Sequence, residues 1–173
     1  MSMLDIPKRL FLFLVLCLAQ MLVLNRIHLF GYATPLLYVY FVLLFPYNYP
    51  KGPLLLWCFA LGLVNDTISN TPGVACASLT LIGALQPYYL SLFLPRDVVD
   101  NFESSMHSLG YLKFAAYAVP LILLYCLLFF ALEAFNFFNW EQWLICSGSS
   151  ALLTLLFIFV FENFKVSKPE VAQ

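Results

Sequence analysis

Charge is scarce in this sequence. Only 10% of its 173 residues are Asp, Glu, Lys or Arg, against about 25% in an ordinary soluble domain, and the mean hydropathy is +0.91. A soluble fold cannot hide that much apolar surface, so the composition describes an integral membrane protein. The net charge of −1 gives no basic surface for nucleic acid and no reason to expect an acidic substrate. Long polar blocks and Gly/Ser-rich linkers are missing too, which leaves room for one helical bundle and no sizeable soluble domain.

Histidine is rarer still. His28 and His107 fall at opposite ends of the apolar runs, so they cannot share a metal or serve one nucleophile. An intramembrane aspartyl protease needs two carboxylates at membrane depth. Only Asp66 qualifies, because Glu133 and Glu162 fall at the ends of apolar runs, within reach of water. No catalytic set, cofactor site or metal site is expected. The cysteines Cys17, Cys58, Cys76, Cys126 and Cys146 all lie in apolar runs without C-x-x-C pairing and read as small hydrophobes. No small-residue cleavage signal follows the run from Leu10 to Leu24, so the N-terminus reads as a retained span rather than a signal peptide.

Apolar runs are what the chain has in abundance. They occupy about 8–27, 32–48, 53–70, 73–94, 109–135 and 141–164, and a bilayer core of about 30 Å needs about 20 helical residues per crossing. The expected fold is an all-α bundle of six transmembrane helices, with a cytoplasmic connector over 95–110 and a short tail over 165–173. The second and third runs are the shortest and could instead form a re-entrant hairpin, which would carry Lys51 and three prolines to membrane depth.

With six crossings and a cytoplasmic N-terminus, Lys8, Arg9, Lys51, Arg96, Lys113, Lys165 and Lys168 gather inside and only Arg26 stays outside. Positive charge accumulates on cytoplasmic loops, so this arrangement fixes the expected orientation, with both termini inside. Thr34-Pro35 and Thr71-Pro72 each read as a capping hydroxyl followed by a proline at the first helical position. Pro87 and Pro120 fall inside spans four and five, where neighbouring groups are expected to satisfy the freed carbonyls.

Three polar features stand out. In GLVNDTISNTPGV, Gly62 to Val74, Asp66 approaches a helix C-terminus, where the macrodipole disfavours a carboxylate. The positive N-terminal end of the following helix would welcome it. Asp66 and Ser69, with Gly62, Asn65 and Gly73 around them, are therefore expected to tie the turn by accepting backbone N–H groups near Asn70 to Ala75. The alternative is direct contact with a partner or a periplasmic ligand. Between Pro95 and Phe114, Val99, Phe102, Met106 and Leu109 recur at helical spacing on one apolar face. That face suits an interfacial connector or a docking surface for a cytoplasmic partner. In the last span Ser147, Gly148, Ser149 and Ser150 form a run of small residues, a packing seam either within the bundle or for a partner's helix.

Gly62, Asp66, Ser69 and Gly73, followed by VACASLTLIGALQPYYL, resemble the most recognisable stretch of the MreD family of bacterial rod-shape proteins. Asn70 stands where that family usually has glycine, and Asn also tolerates the left-handed conformation. The resemblance implies a six-span bundle similar to the substrate-binding subunits (S-components) of energy-coupling-factor (ECF) transporters. It also implies a non-enzymatic role in the bacterial cytoplasmic (inner) membrane. There the family partners an MreC-like membrane protein and, through it, RodA, its transpeptidase and MreB in the elongasome of peptidoglycan biosynthesis, which sets cell shape. The competing expectation is a membrane subunit that captures a small vitamin-like solute for uptake.

Overall fold

The computed structural model describes residues 5–22, 34–93, 110–134 and 140–164. These form six helices, with no strand among the described residues: α1 Asp5–Leu22, α2 Val39–Leu43, α3 Lys51–Ser69, α4 Val74–Leu90, α5 Tyr111–Ala134 and α6 Trp140–Phe164. Three are long and apolar enough to cross a membrane: α3, α5 and the Trp143–Asn163 part of α6. The apolar parts of α1 and α4 are shorter. The amphipathic face of Val99, Phe102, Met106 and Leu109, the rest of the 95–110 connector except Gly110, and the 165–173 tail lie outside the described residues.

The expected second span, 32–48, is not a helix of crossing length. Its described part has no regular secondary structure from Thr34 to Leu36, turns, and makes only the five-residue helix α2. By contrast α3, with 19 residues, is about 28 Å long, so only one member of that pair is short. Leu36 to Leu43 and Phe45 are buried inside the bundle. Non-helical backbone is tolerated in an apolar surrounding only where protein surrounds it and supplies its hydrogen bonds.

The surrounding helices supply them here. From α6, Ser150 Oγ accepts Thr34 N–H and Thr154 Oγ1 accepts Leu36 N–H, both at 3.0 Å. From α1, Gln20 Nε2 donates to Pro35 O at 3.0 Å. From α4 and α5, Gln86 Nε2 donates to Phe45 O at 3.1 Å and Tyr117 Oη donates to Leu43 O at 3.3 Å. The side chains join in as well. The hydroxyls of Tyr38 and Tyr125 are hydrogen-bonded to each other, and Tyr40 donates to the Glu162 carboxylate.

Two expectations change with this arrangement. Glu162 is fully buried rather than reaching water, because its partner Tyr40 comes from inside the bundle. Thr34-Pro35 does not cap a helix, since α2 begins four residues later, at Val39.

Thr154→Val removes the acceptor for Leu36 N–H while keeping nearly the same shape. The amide left unsatisfied in a buried site is expected to lower stability by about 1–3 kcal/mol. Thermal unfolding of the purified protein in detergent checks this.

Helix α5 continues through Pro120. Its ring removes the bond that would reach the carbonyl of Ala116, and Tyr89 of α4 donates its hydroxyl to that carbonyl at 3.4 Å. Near the start of α1, the Arg9 guanidinium lies over the rings of Phe45 and Tyr49, with centroid distances of 4.9 and 4.7 Å. Such stacking suits a cation at a bundle end, where the ring faces attract it and water still reaches its rim.

Candidate functional site

Helices α3 and α4 form a hairpin whose turn gathers most of the polar residues singled out in the sequence. Gly62 and Asp66 are one helical turn apart and so share a face of α3; both are buried. A Cβ on Gly62 would lie 2.4 Å from Cys76 Cα and 2.7 Å from Cys76 N, so only glycine lets the first turn of α4 approach this closely. Lower in the same seam, Cys58 packs against Gly83, and Cys76 Sγ donates to Phe59 O at 3.3 Å.

This approach delivers the start of α4 to the Asp66 carboxylate. Oδ1 accepts Ala75 N–H at 2.8 Å and Oδ2 accepts Cys76 N–H at 2.9 Å. The Thr71 hydroxyl donates the carboxylate's third hydrogen bond, to Oδ1 at 3.2 Å. The N-cap residue of α4 is Gly73, which has no side chain to offer, so Asp66 performs the capping from the neighbouring helix. The four amides opening α4 are then all satisfied: Val74 N–H by Thr71 O, Ala75 and Cys76 N–H by Asp66, and Ala77 N–H by Gly73 O. The positive end of the α4 dipole offsets the unfavourable end of the α3 dipole at the same carboxylate.

The backbone of Asp66 closes the other side of the turn. Its carbonyl accepts both Asn70 N–H and Thr71 N–H, a pattern that requires a left-handed residue after the helix. Asn70 takes that conformation at φ 58°, the only non-glycine positive φ among the described residues. Gly73 follows at φ 86°. The Thr71-Pro72 expectation is corrected here. Pro72 lies in the turn, α4 begins at Val74, and the Thr71 hydroxyl points back to Asp66 instead of capping α4. Asn65 is buried on the same stretch, and Ser69 ends α3.

The last helix splits its small-residue run. Ser147 and Ser150 are buried, and Ser150 bonds the central segment. Ser149 bonds its own helix at Ile145 O. Gly148 is exposed, and a Cβ there would meet nothing within 4 Å, so it is not a close-approach point within this bundle. Thr154, unmarked in the sequence, does more at this face than Gly148. Gln20, Gln86, Tyr117 and Thr154 were visible only as isolated polar groups in apolar runs, a signal that does not say what they bond.

On the outside of the hairpin is an open groove of about 1090 Å³. Its α3 wall is formed by Leu55, Phe59 and Leu63, and its α4 wall by the small residues Cys76, Ala77, Thr80 and Ala84 together with the bulkier Leu81. Asp66, Thr67 and Asn70 border its turn end.

The class defined by these features is an all-helical protein with helices suited to a membrane, a clasped α3–α4 hairpin and an apolar groove along that hairpin. Comparison with family models, curated proteins and solved structures yields no match.

Proposed function

We propose that the chain is a non-catalytic scaffold subunit of the bacterial cell-shape and peptidoglycan elongation machinery, with an MreC-like membrane protein as its direct partner. Support comes from the residues that resemble the MreD family, Gly62, Asp66, Ser69 and Gly73, which converge on one clasped turn. The observation that carries the reading is the groove beside that turn. A hairpin fixed by backbone contact at Gly62 and by the Asp66 clasp keeps two helix faces at constant spacing, and small residues on α4 let a partner's helix come close. The centre of the bundle is filled by Leu36 to Phe45, which favours binding at the outer face over enclosure of a solute.

Co-purification in mild detergent with an MreC-like protein, together with depletion in cells, tests the proposal. The expected result is recovery of the complex, loss of rod or cell-shape control on depletion, and weakened recovery for Ala77→Trp, which fills the groove without touching the clasp. Normal morphology with impaired vitamin uptake would overturn it.

A further inference from the structure

A second, smaller groove lies farther along α4, on its α5 side. It has a volume of about 260 Å³ and runs between α4 and α5, lined by Leu85, Tyr88, Tyr89, Leu92, Leu121 and Leu124. It extends from Leu85 on α4 to Leu92 in the turn just past the helix, about 10 Å at helical rise. Half of a 30 Å hydrocarbon core is about 15 Å, so the groove stays within a single leaflet. A crossing helix from a partner would need a longer track.

A cation is fixed at its rim. Lys51, in the first turn of α3, donates from Nζ to Tyr88 Oη at 3.0 Å and lies 4.4 Å from the centre of that ring. Both residues are exposed, and Lys51 has no carboxylate partner among the described residues. Tyr88 therefore does two things: its ring is part of the groove wall, and its hydroxyl holds the ammonium above it. An apolar slot shorter than one leaflet, with a positioned ammonium beside it that has no carboxylate partner among the described residues, is complementary to an acyl chain and its phosphate.

We propose that this groove binds an anionic phospholipid, with one acyl chain against Leu85, Leu92, Leu121 and Leu124 and the headgroup phosphate on Lys51. The site shares no lining residue with the α3–α4 groove. Tyr88 is a positioning residue that restricts the lysine to the rim.

Native mass spectrometry of the purified full chain, given phosphatidylglycerol or phosphatidylethanolamine with identical acyl chains, tests the site. Phosphatidylglycerol is expected to be retained about fivefold better, as one surface cation contributes. Lys51→Gln should bring the two lipids to parity, Lys51→Arg should keep the preference, and Leu124→Trp should lower retention of both. Glycerol phosphate alone should not displace the bound lipid. Equal retention of the two lipids by the unmodified protein would overturn the proposal. So would a preference undiminished in Lys51→Gln, retention unchanged in Leu124→Trp, or displacement by glycerol phosphate. Lys51 and Leu124 both lie at the surface side of their helices, so these variants keep the fold.

Discussion

Gly62→Ala is expected to be among the most damaging single-methyl additions in this chain. The new Cβ would meet backbone atoms, Cys76 Cα at 2.4 Å and Cys76 N at 2.7 Å, and backbone cannot rotate away as a side-chain tip can. Helix α4 must move outward, and overpacking of this kind costs about 3 kcal/mol. For a chain of this size that corresponds to a fall in Tm on the order of 10 °C. The movement also draws the Ala75 and Cys76 amides away from Asp66, so the damage spreads from packing to hydrogen bonding. Thermal unfolding in detergent measures the loss. A Gly62→Ala protein as stable as the original would mean that the two helices do not touch there.

Asp66→Asn should produce the second large effect, by a different route. The amide keeps one acceptor oxygen but replaces the other with an NH₂ group, which would face a backbone N–H donor. Ala75 N–H or Cys76 N–H is then left buried without a partner, and the charge that complements the α4 dipole is lost. The expected cost is about 1–3 kcal/mol, and Asp66→Ala, which removes both acceptors, should cost more. Amide hydrogen exchange gives a local readout: protection at Ala75 and Cys76 should fall first, while protection in the middle of α5 holds. The two substitutions should also be non-additive. Once the carboxylate is gone, the close approach enabled by Gly62 no longer serves the clasp, so the double variant should lose less than the sum. Unchanged stability of Asp66→Asn with loss of partner recovery would instead make Asp66 an interface residue.

These effects bear on the proposed function because the groove beside the hairpin has one wall on each helix. Leu55, Phe59 and Leu63 belong to α3, and Ala77, Leu81 and Ala84 belong to α4. Opening the hairpin at Gly62 changes the distance between those walls. Stability and partner recovery should therefore fall together for Gly62→Ala, whereas Ala77→Trp should reduce recovery with little loss of stability. A partner bound elsewhere on the bundle would be insensitive to Ala77→Trp.

The sequence made some features legible through chemistry that does not depend on the neighbours. Scarce charge and long apolar runs dictate helices suited to a membrane, because backbone groups there must bond within their own segment. Gly62 and Asp66 share a helix face by their four-residue spacing. The misfit of a carboxylate at a helix C-terminus points across the turn toward the next helix. Asn70 could be read as a residue able to take a left-handed φ, and its φ of 58° lies in that region.

Other features depended on contacts between residues far apart in the chain. Apolar composition reports removal from water, and it reads the same for a helix facing lipid as for a strand of chain enclosed by helices. That is why 32–48 looked like a span, while its described part is irregular chain and a five-residue helix bonded by Gln20, Gln86, Tyr117, Ser150 and Thr154. Glu162 looked solvated from its position near the end of a run, yet Tyr40 meets it inside. By itself, then, the sequence determined the helical class, the apolar setting and the residue types at the α3–α4 turn. Only the tertiary structure decided which amides Asp66 receives, which segment fills the centre, and which faces of α4 remain open as grooves, because each is set by the approach of backbones that no local pattern encodes.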